Sequence, residues 1–237
     1  EDRIVANIRS KVNPKLITTL ALMGIWPVGK GSRLNRILTI RWSGQLTDGL
    51  FQSALASFVL FSPERAPNAV SAALAFSVVL LPYSLIGPYV GTFLDRFSRQ
   101  RIIRNCNYVR AANLLIIAWL INNSSTGIIL TLFVLFAFGV NRLILSGLSA
   151  GLPLLVKKEE LIAANALAVT GGTIWVVIGG GIGIAIKNLL SKNADADYAD
   201  AVVVLVAAMG FLIAALACLR LNKYEIGPSE HETSLEA

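Results

Sequence analysis

The chain has 237 residues, 55% of them hydrophobic and 15% charged, with a net charge of +7. A soluble domain carries about 25% charged residues, so this composition leaves too little charge to solvate an ordinary globular surface. In a soluble protein the basic balance would suggest a nucleic-acid partner; here the basic residues flank apolar runs, and no nucleic-acid binding is expected.

Residues 1–36 are basic and mixed, with Pro14 and Pro27. They read as a cytoplasmic arm with one or two short interfacial helices. Residues 37–222 then hold six mostly uncharged runs of about 20 residues or more, the length that crosses roughly 30 Å of hydrocarbon. The expected spans are 38–61, 68–94, 103–121, 127–155, 161–190 and 201–221. Pro63 and Pro67 mark the first turn, a basic loop at 95–101 the second, and Asn122 to Ser125 the third. Lys157 to Glu160 and an Asp195–Asp197–Asp200 loop mark the last two. The tail, residues 223–237, is polar and expected to be disordered or to serve as a linker. The fold class is therefore all-α integral membrane, a six-helix bundle.

Orientation follows from lysine and arginine placement. With the N-terminus inside, 17 of the 21 basic residues fall in the arm and start of the first span, in 96–110, at Lys157 and Lys158, and at Arg220 and Lys223. Arg65, Lys187 and Lys192 fall outside, and Arg142 lies within the fourth span. Both termini are thus expected in the cytoplasm, and the lipid bilayer is the first partner. Cys106 and Cys218 have no metal-ligand spacing, and a disulfide is not expected on that side. No metal or cofactor is expected.

Ionisable groups inside apolar spans are costly and usually functional. Asp48 and Arg142 each fall about eight residues from the inner end of their spans, roughly 12 Å deep at 1.5 Å per residue. An acid and a base at matching depth neutralise each other. Arg41, Gln45, Asp48 and Gln52 share one helical face, as do Arg142, Ser146 and Ser149. The two polar stripes are expected to face one cavity, with Asp48 exchanging a proton. The alternative is a buried ion pair that only fixes helix packing.

Gly87 and Gly91 make a small-xxx-small helix end, followed by Asp95, Arg96, Arg99 and Arg101. In the fifth span, Gly171, Gly172, Gly179, Gly180, Gly181 and Gly183 allow either tight helix contact or a hinge. There is no His cluster, nucleophile motif or convergent carboxylate pair, so an enzyme is not expected.

The stretch from Gly87 to Arg101 resembles the signature loop of the major facilitator superfamily, matching at Gly91, Asp95, Arg96 and Arg99, with Ser98 where the family usually has glycine. The stretch from Leu152 to Leu167 resembles the fourth-to-fifth helix junction of the drug and siderophore exporter branch. Arg142 with Gly147, and Gly179 to Gly183, loosely resemble the family's fourth- and fifth-helix motifs. The resemblance implies that Asp95, Arg96 and Arg99 latch a cytoplasmic gate and that the chain is the N-terminal half of a major facilitator fold. It further implies a bacterial plasma membrane location, a second six-helix half as partner, and proton-coupled efflux of a small-molecule substrate by alternating access. The competing expectation is a non-transporting membrane scaffold, or a half-transporter subunit that needs a partner half.

Overall fold

The computed structural model describes residues 33–60, 94, 97–125, 127–222 and 224–227, with side chains to residue 56 in the first helix. Five long helices lie among them: α1 (Arg33–Leu60), α2 (Arg99–Asn122), α3 (Ile128–Gly151), α4 (Leu161–Leu190) and α5 (Ala196–Ala217). Short 3-10 turns follow α3 at Leu152–Leu154, precede α4 at Lys158–Glu160 and follow α5 at Cys218–Arg220. These helices occupy five of the six expected spans. The second span lies outside the described residues apart from Leu94, which packs beside Ile102. The arm to residue 32 also lies outside them, and α1 begins at Arg33, within the stretch assigned to the arm.

The breaks have local causes. Ser124 and Gly127 both adopt positive φ, 51° and 101°, which a helix does not tolerate and which glycine takes most readily. They turn the chain between α2 and α3. Asp195 sits before α5 and Asp197 lies in its first turn, where carboxylates favour the positive end of the helix dipole. Ser124 donates to the Asp197 carboxylate and Lys187 pairs with Asp200 at 2.8 Å. These contacts tie the ends of α2 and α4 to the start of α5 at one, acidic, end of the bundle. Contacts at the other end, where α1 and α2 begin, join basic residues to helix and chain ends, as Arg36 donates to the Arg220 carbonyl at 3.0 Å. α1, α2 and α4 run away from this basic end, and α3 and α5 run back to it.

α1 lies along α4 and against α5, while α2 lies along α5 and against α3. Two apolar clusters fill the interior. One, toward the acidic end, joins Phe51, Leu114, Ile117, Ala137, Val204 and Phe211. The other, toward the basic end, joins Ile37, Ile103, Ile144, Leu148 and Cys218.

The outside is as apolar as the inside. Ile162 is 84% exposed and Val177 70%, whereas the buried residues of α4 are all alanine or glycine. In water such a surface would be a liability; against lipid it is the solvated face, and small residues are what membrane helices bury against one another. α3, α4 and α5, with their adjoining turns, are long and apolar enough to cross a membrane. α1 and α2 carry more charge, concentrated at the basic end and at Asp48 and Arg110.

The α1–α4 seam is backbone on backbone. A Cβ at Gly179 would collide with the Leu46 carbonyl, one at Gly49 with the Val176 carbonyl, and one at Gly183 with the Ser53 hydroxyl. Gly180 has only the Gly49 oxygen, at 3.8 Å from a built Cβ, and Gly181 faces open space.

The chain after α5 does not simply leave the bundle. Within the stretch from residue 223 expected as a polar tail or linker, residues 224–227 form a turn docked beneath the helices. Ile226 is fully buried against Gly151. The Glu225 carboxylate accepts the Asn222 N–H at 2.9 Å and faces Arg36 at 3.4 Å and Arg33 at 3.8 Å. One apolar residue in a pocket and one acid among arginines both hold the turn.

Gly179→Ala is expected to cost about 1–3 kcal/mol by overpacking, while Gly181→Ala changes stability by about 1 kcal/mol or less. Ile226→Ala is expected to cost about 2–4 kcal/mol. Denaturation of the purified variants in detergent measures all three; equal effects at Gly179 and Gly181 would contradict the seam.

Candidate functional site

The boundary between the two apolar clusters is polar. Asp48 of α1 and Arg110 of α2 form an ion pair there. They are 3% and 1% exposed. Arg110 also donates to the Asn141 side-chain oxygen of α3 at 3.1 Å, and its guanidinium lies 3.8 Å from the ring centre of Phe211 on α5. Four helices therefore meet at one cation. The pair neutralises itself, the amide accepts one N–H, and the ring face attracts the positive charge. Together these offset a burial that would cost several kcal/mol for either ion alone.

Below this layer, toward the basic end, a narrow cleft opens between α1, α2 and α3. Arg41, Gly44, Gln45 and Asp48 line it from α1, Asn107 and Arg110 from α2, and Asn141, Leu145 and Leu148 from α3. Arg41 donates to the Ser149 hydroxyl at 3.1 Å, bridging α1 to α3.

The expected pairing of Asp48 with Arg142 is corrected: Arg110 takes that place, and Arg142 is exposed on the flank of α3. The reason is helical phase. Successive residues are about 100° apart around the axis. The face of α3 toward the cleft is Asn141, Leu145 and Leu148, one residue out of step with Arg142, Ser146 and Ser149. Ser149 lies close enough to that face to meet Arg41, while Ser146 is half-buried. On α1, Gln45 lines the cleft with its amide against Gly172, and Gln52 is exposed.

Arg110 carries a sequence signal of its own. It lies seven residues inside the third expected span, the criterion that marks Asp48, although it also continues the basic series from Arg96 to Arg104 that flanks that span. Asn141 and Phe211 carry no such signal.

Of the gate residues, Gly87, Gly91, Asp95 and Arg96 lie outside the described residues. Arg99 starts α2, where its guanidinium donates to the carbonyls of Ala150 and Ile226, both at 3.1 Å, and its N–H donates to Gly227 at 3.0 Å. It thus ties α2, α3 and the docked turn together at the basic end. Arg101 is exposed. Among the described residues, no group of three His, Cys, Asp or Glu side chains is placed to hold a metal ion.

A helical bundle with an apolar outside, small-residue helix contacts and a charged pair at its centre defines a multi-pass membrane protein. Over 200 residues the chain is 34% identical to an uncharacterized MFS-type transporter of Mycobacterium bovis, and equally so to one of Mycobacterium tuberculosis; the match covers 84% of this chain and 45% of each relative. The chain spans about half the length of the curated relatives it matches. No family profile matches it, and no solved structure does either.

Removing either charge strands the other in a desolvated site. Asp48→Asn or Arg110→Gln alone is expected to cost about 3–5 kcal/mol. The double variant is expected to be more stable than the sum of the single effects predicts, as a double-mutant cycle of denaturation in detergent would show. Additive effects would mean that the pair does not couple.

Proposed function

We propose that this chain forms the N-terminal six-helix half of a bacterial plasma-membrane transporter, with both ends in the cytoplasm, which exports a small amphipathic compound against proton entry. The observation that carries the reading is the Asp48–Arg110 pair, buried among four helices and bordering a polar cleft. Asp48 is the one carboxylate of that cleft among the described residues. Protonating it cancels its charge and leaves Arg110 without a counter-ion, beside the Asn141 amide and the Phe211 ring. The balance of contacts among α1, α2, α3 and α5 then changes, which is what a proton must do to bias a bundle between inward and outward openings.

In this reading a second six-helix half closes the other side of the pathway, and substrate binds between the halves. Arg99 belongs to the cytoplasmic gate, with Asp95 and Arg96 as its partners in the motif. Its hold on the Ala150 and Ile226 carbonyls supports that role, because it spans elements that must separate if the basic end opens. The similarity to MFS-type transporters supports the transport class.

The test uses inverted membrane vesicles carrying the chain joined to its second six-helix half, energised and loaded with acridine orange as a reporter of the pH gradient. A panel of amphipathic compounds is added one at a time. The expected result is substrate-dependent dequenching with the native chain and at least a tenfold smaller response with Asp48→Asn, comparable to losing a positioned proton carrier. An unchanged response in Asp48→Asn vesicles that hold the protein at the native level would sink the proton-coupling role.

A further inference from the structure

The cleft is lined by three charged side chains, Arg41, Asp48 and Arg110. Asp48 and Arg110 cancel, so the lining keeps one net positive charge, on Arg41. That residue is 7% exposed. It donates to the neutral Ser149 hydroxyl at 3.1 Å, its Nε is buried without a hydrogen-bond acceptor, and among the described residues no carboxylate pairs with it. Sequence adds a further point: between Asp48 and Asp95 the only acid is Glu64, in the turn after the first span.

A desolvated cation without a counter-ion is unfavourable, and the protein supplies every other buried charge described here with one: Asp48 with Arg110, Asp200 with Lys187, Glu225 with Arg36. Arg41 is the exception, and it faces the cleft. Beside it, a Cβ built on Gly44 would meet nothing within 4 Å, so the wall is open at that point. Arg41 and Asp48 are two helical turns apart on one face of α1, about 10 Å along the axis.

We propose that Arg41 anchors an anion subsite and that the transported compound carries a carboxylate or phosphate group. The planar fork of arginine matches either group in two parallel hydrogen bonds. As the structure stands the cleft measures about 10 Å³, room for one water-sized group, so the charged head meets Arg41 beside Gly44 when α1 parts from α2 and α3, as the transport reading requires. The inference rests on the transport reading for its meaning, but its test is a binding measurement.

Purified chain in a non-ionic detergent is heated with four probes of similar size: benzoate, phenyl phosphate, benzylammonium and benzyl alcohol. The expected result is a rise in unfolding temperature with the two anions and none with the cation or the alcohol. The rise disappears in Arg41→Gln and is partly kept in Arg41→Lys, which retains the charge without the fork. An equal rise with benzyl alcohol, an undiminished anion effect in Arg41→Gln, or no anion effect in the native chain each overturns the subsite. Should Arg41→Gln fail to fold, the comparison of native chain with Arg41→Lys across the four probes decides. Nanodiscs of phosphatidylcholine with and without phosphatidylglycerol separate the sources: if the anionic lipid gives the Arg41-dependent rise and benzoate adds nothing, the anion is a headgroup and the small-molecule claim falls. An Arg41-dependent rise without any vesicle response would sink transport and leave the subsite standing. A vesicle response with anion preference unchanged in Arg41→Gln would do the reverse.

Discussion

A charge in the middle of a membrane bundle is admissible only beside its opposite. The Asp48–Arg110 pair therefore acts as a register mark. Hydrophobic side chains above and below it, around Phe51 and Phe211 on one side and Ile103 and Ile144 on the other, would tolerate a sliding fit, since apolar packing is non-directional. The pair would not. Shifting α1 against α2 by one turn would separate the ions and leave both desolvated, with a cost larger than most single packing defects. Asn141 and Phe211 extend the same constraint to α3 and α5, so the depth of four helices is set at one level.

Away from that level the bundle is held by closeness of fit. The buried surface of α4 is alanine and glycine, and its large aliphatic side chains point outward. This inverts the pattern of a soluble helix and follows from the solvent: lipid tails match leucine and isoleucine, so burying them gains little, whereas backbone contact gains dispersion and excludes lipid. At the basic end, the Glu225 carboxylate and the Arg99 guanidinium provide directional contacts that apolar packing lacks.

Much of this was legible in the sequence. Length and the 1.5 Å rise place five of the expected spans where helices occur, and the depth of Asp48 marks it before any coordinates. What was not legible is phase. A sequence shows that Arg142, Ser146 and Ser149 share a face, but not which of two adjacent faces, about 100° apart, turns inward; packing against α1 and α2 selects Asn141, Leu145 and Leu148. Arg110 was read with its neighbours Arg101 and Arg104 as membrane-flanking charge, because a basic residue near a span end is ordinarily an anchor. The docking of Ile226 was hidden by its polar surroundings in sequence, since a single apolar residue carries no periodicity. Asp95 and Arg96, central to the resemblance, lie outside the described residues.

The glycine seam between α1 and α4 has a mechanical meaning. Where peptide planes touch, at Gly49 against Val176 and at Gly179 against Leu46, no side chain lies between the helices to repack, and contact this close transmits displacement. Gly49 and Gly179 thus make α1 and α4 one lever. Whatever displaces one must carry the other with it, and Asp48 and Arg41 ride on that lever together. The compliant joint of the bundle is then the polar cleft facing α2 and α3, whose contacts are hydrogen bonds that can be exchanged.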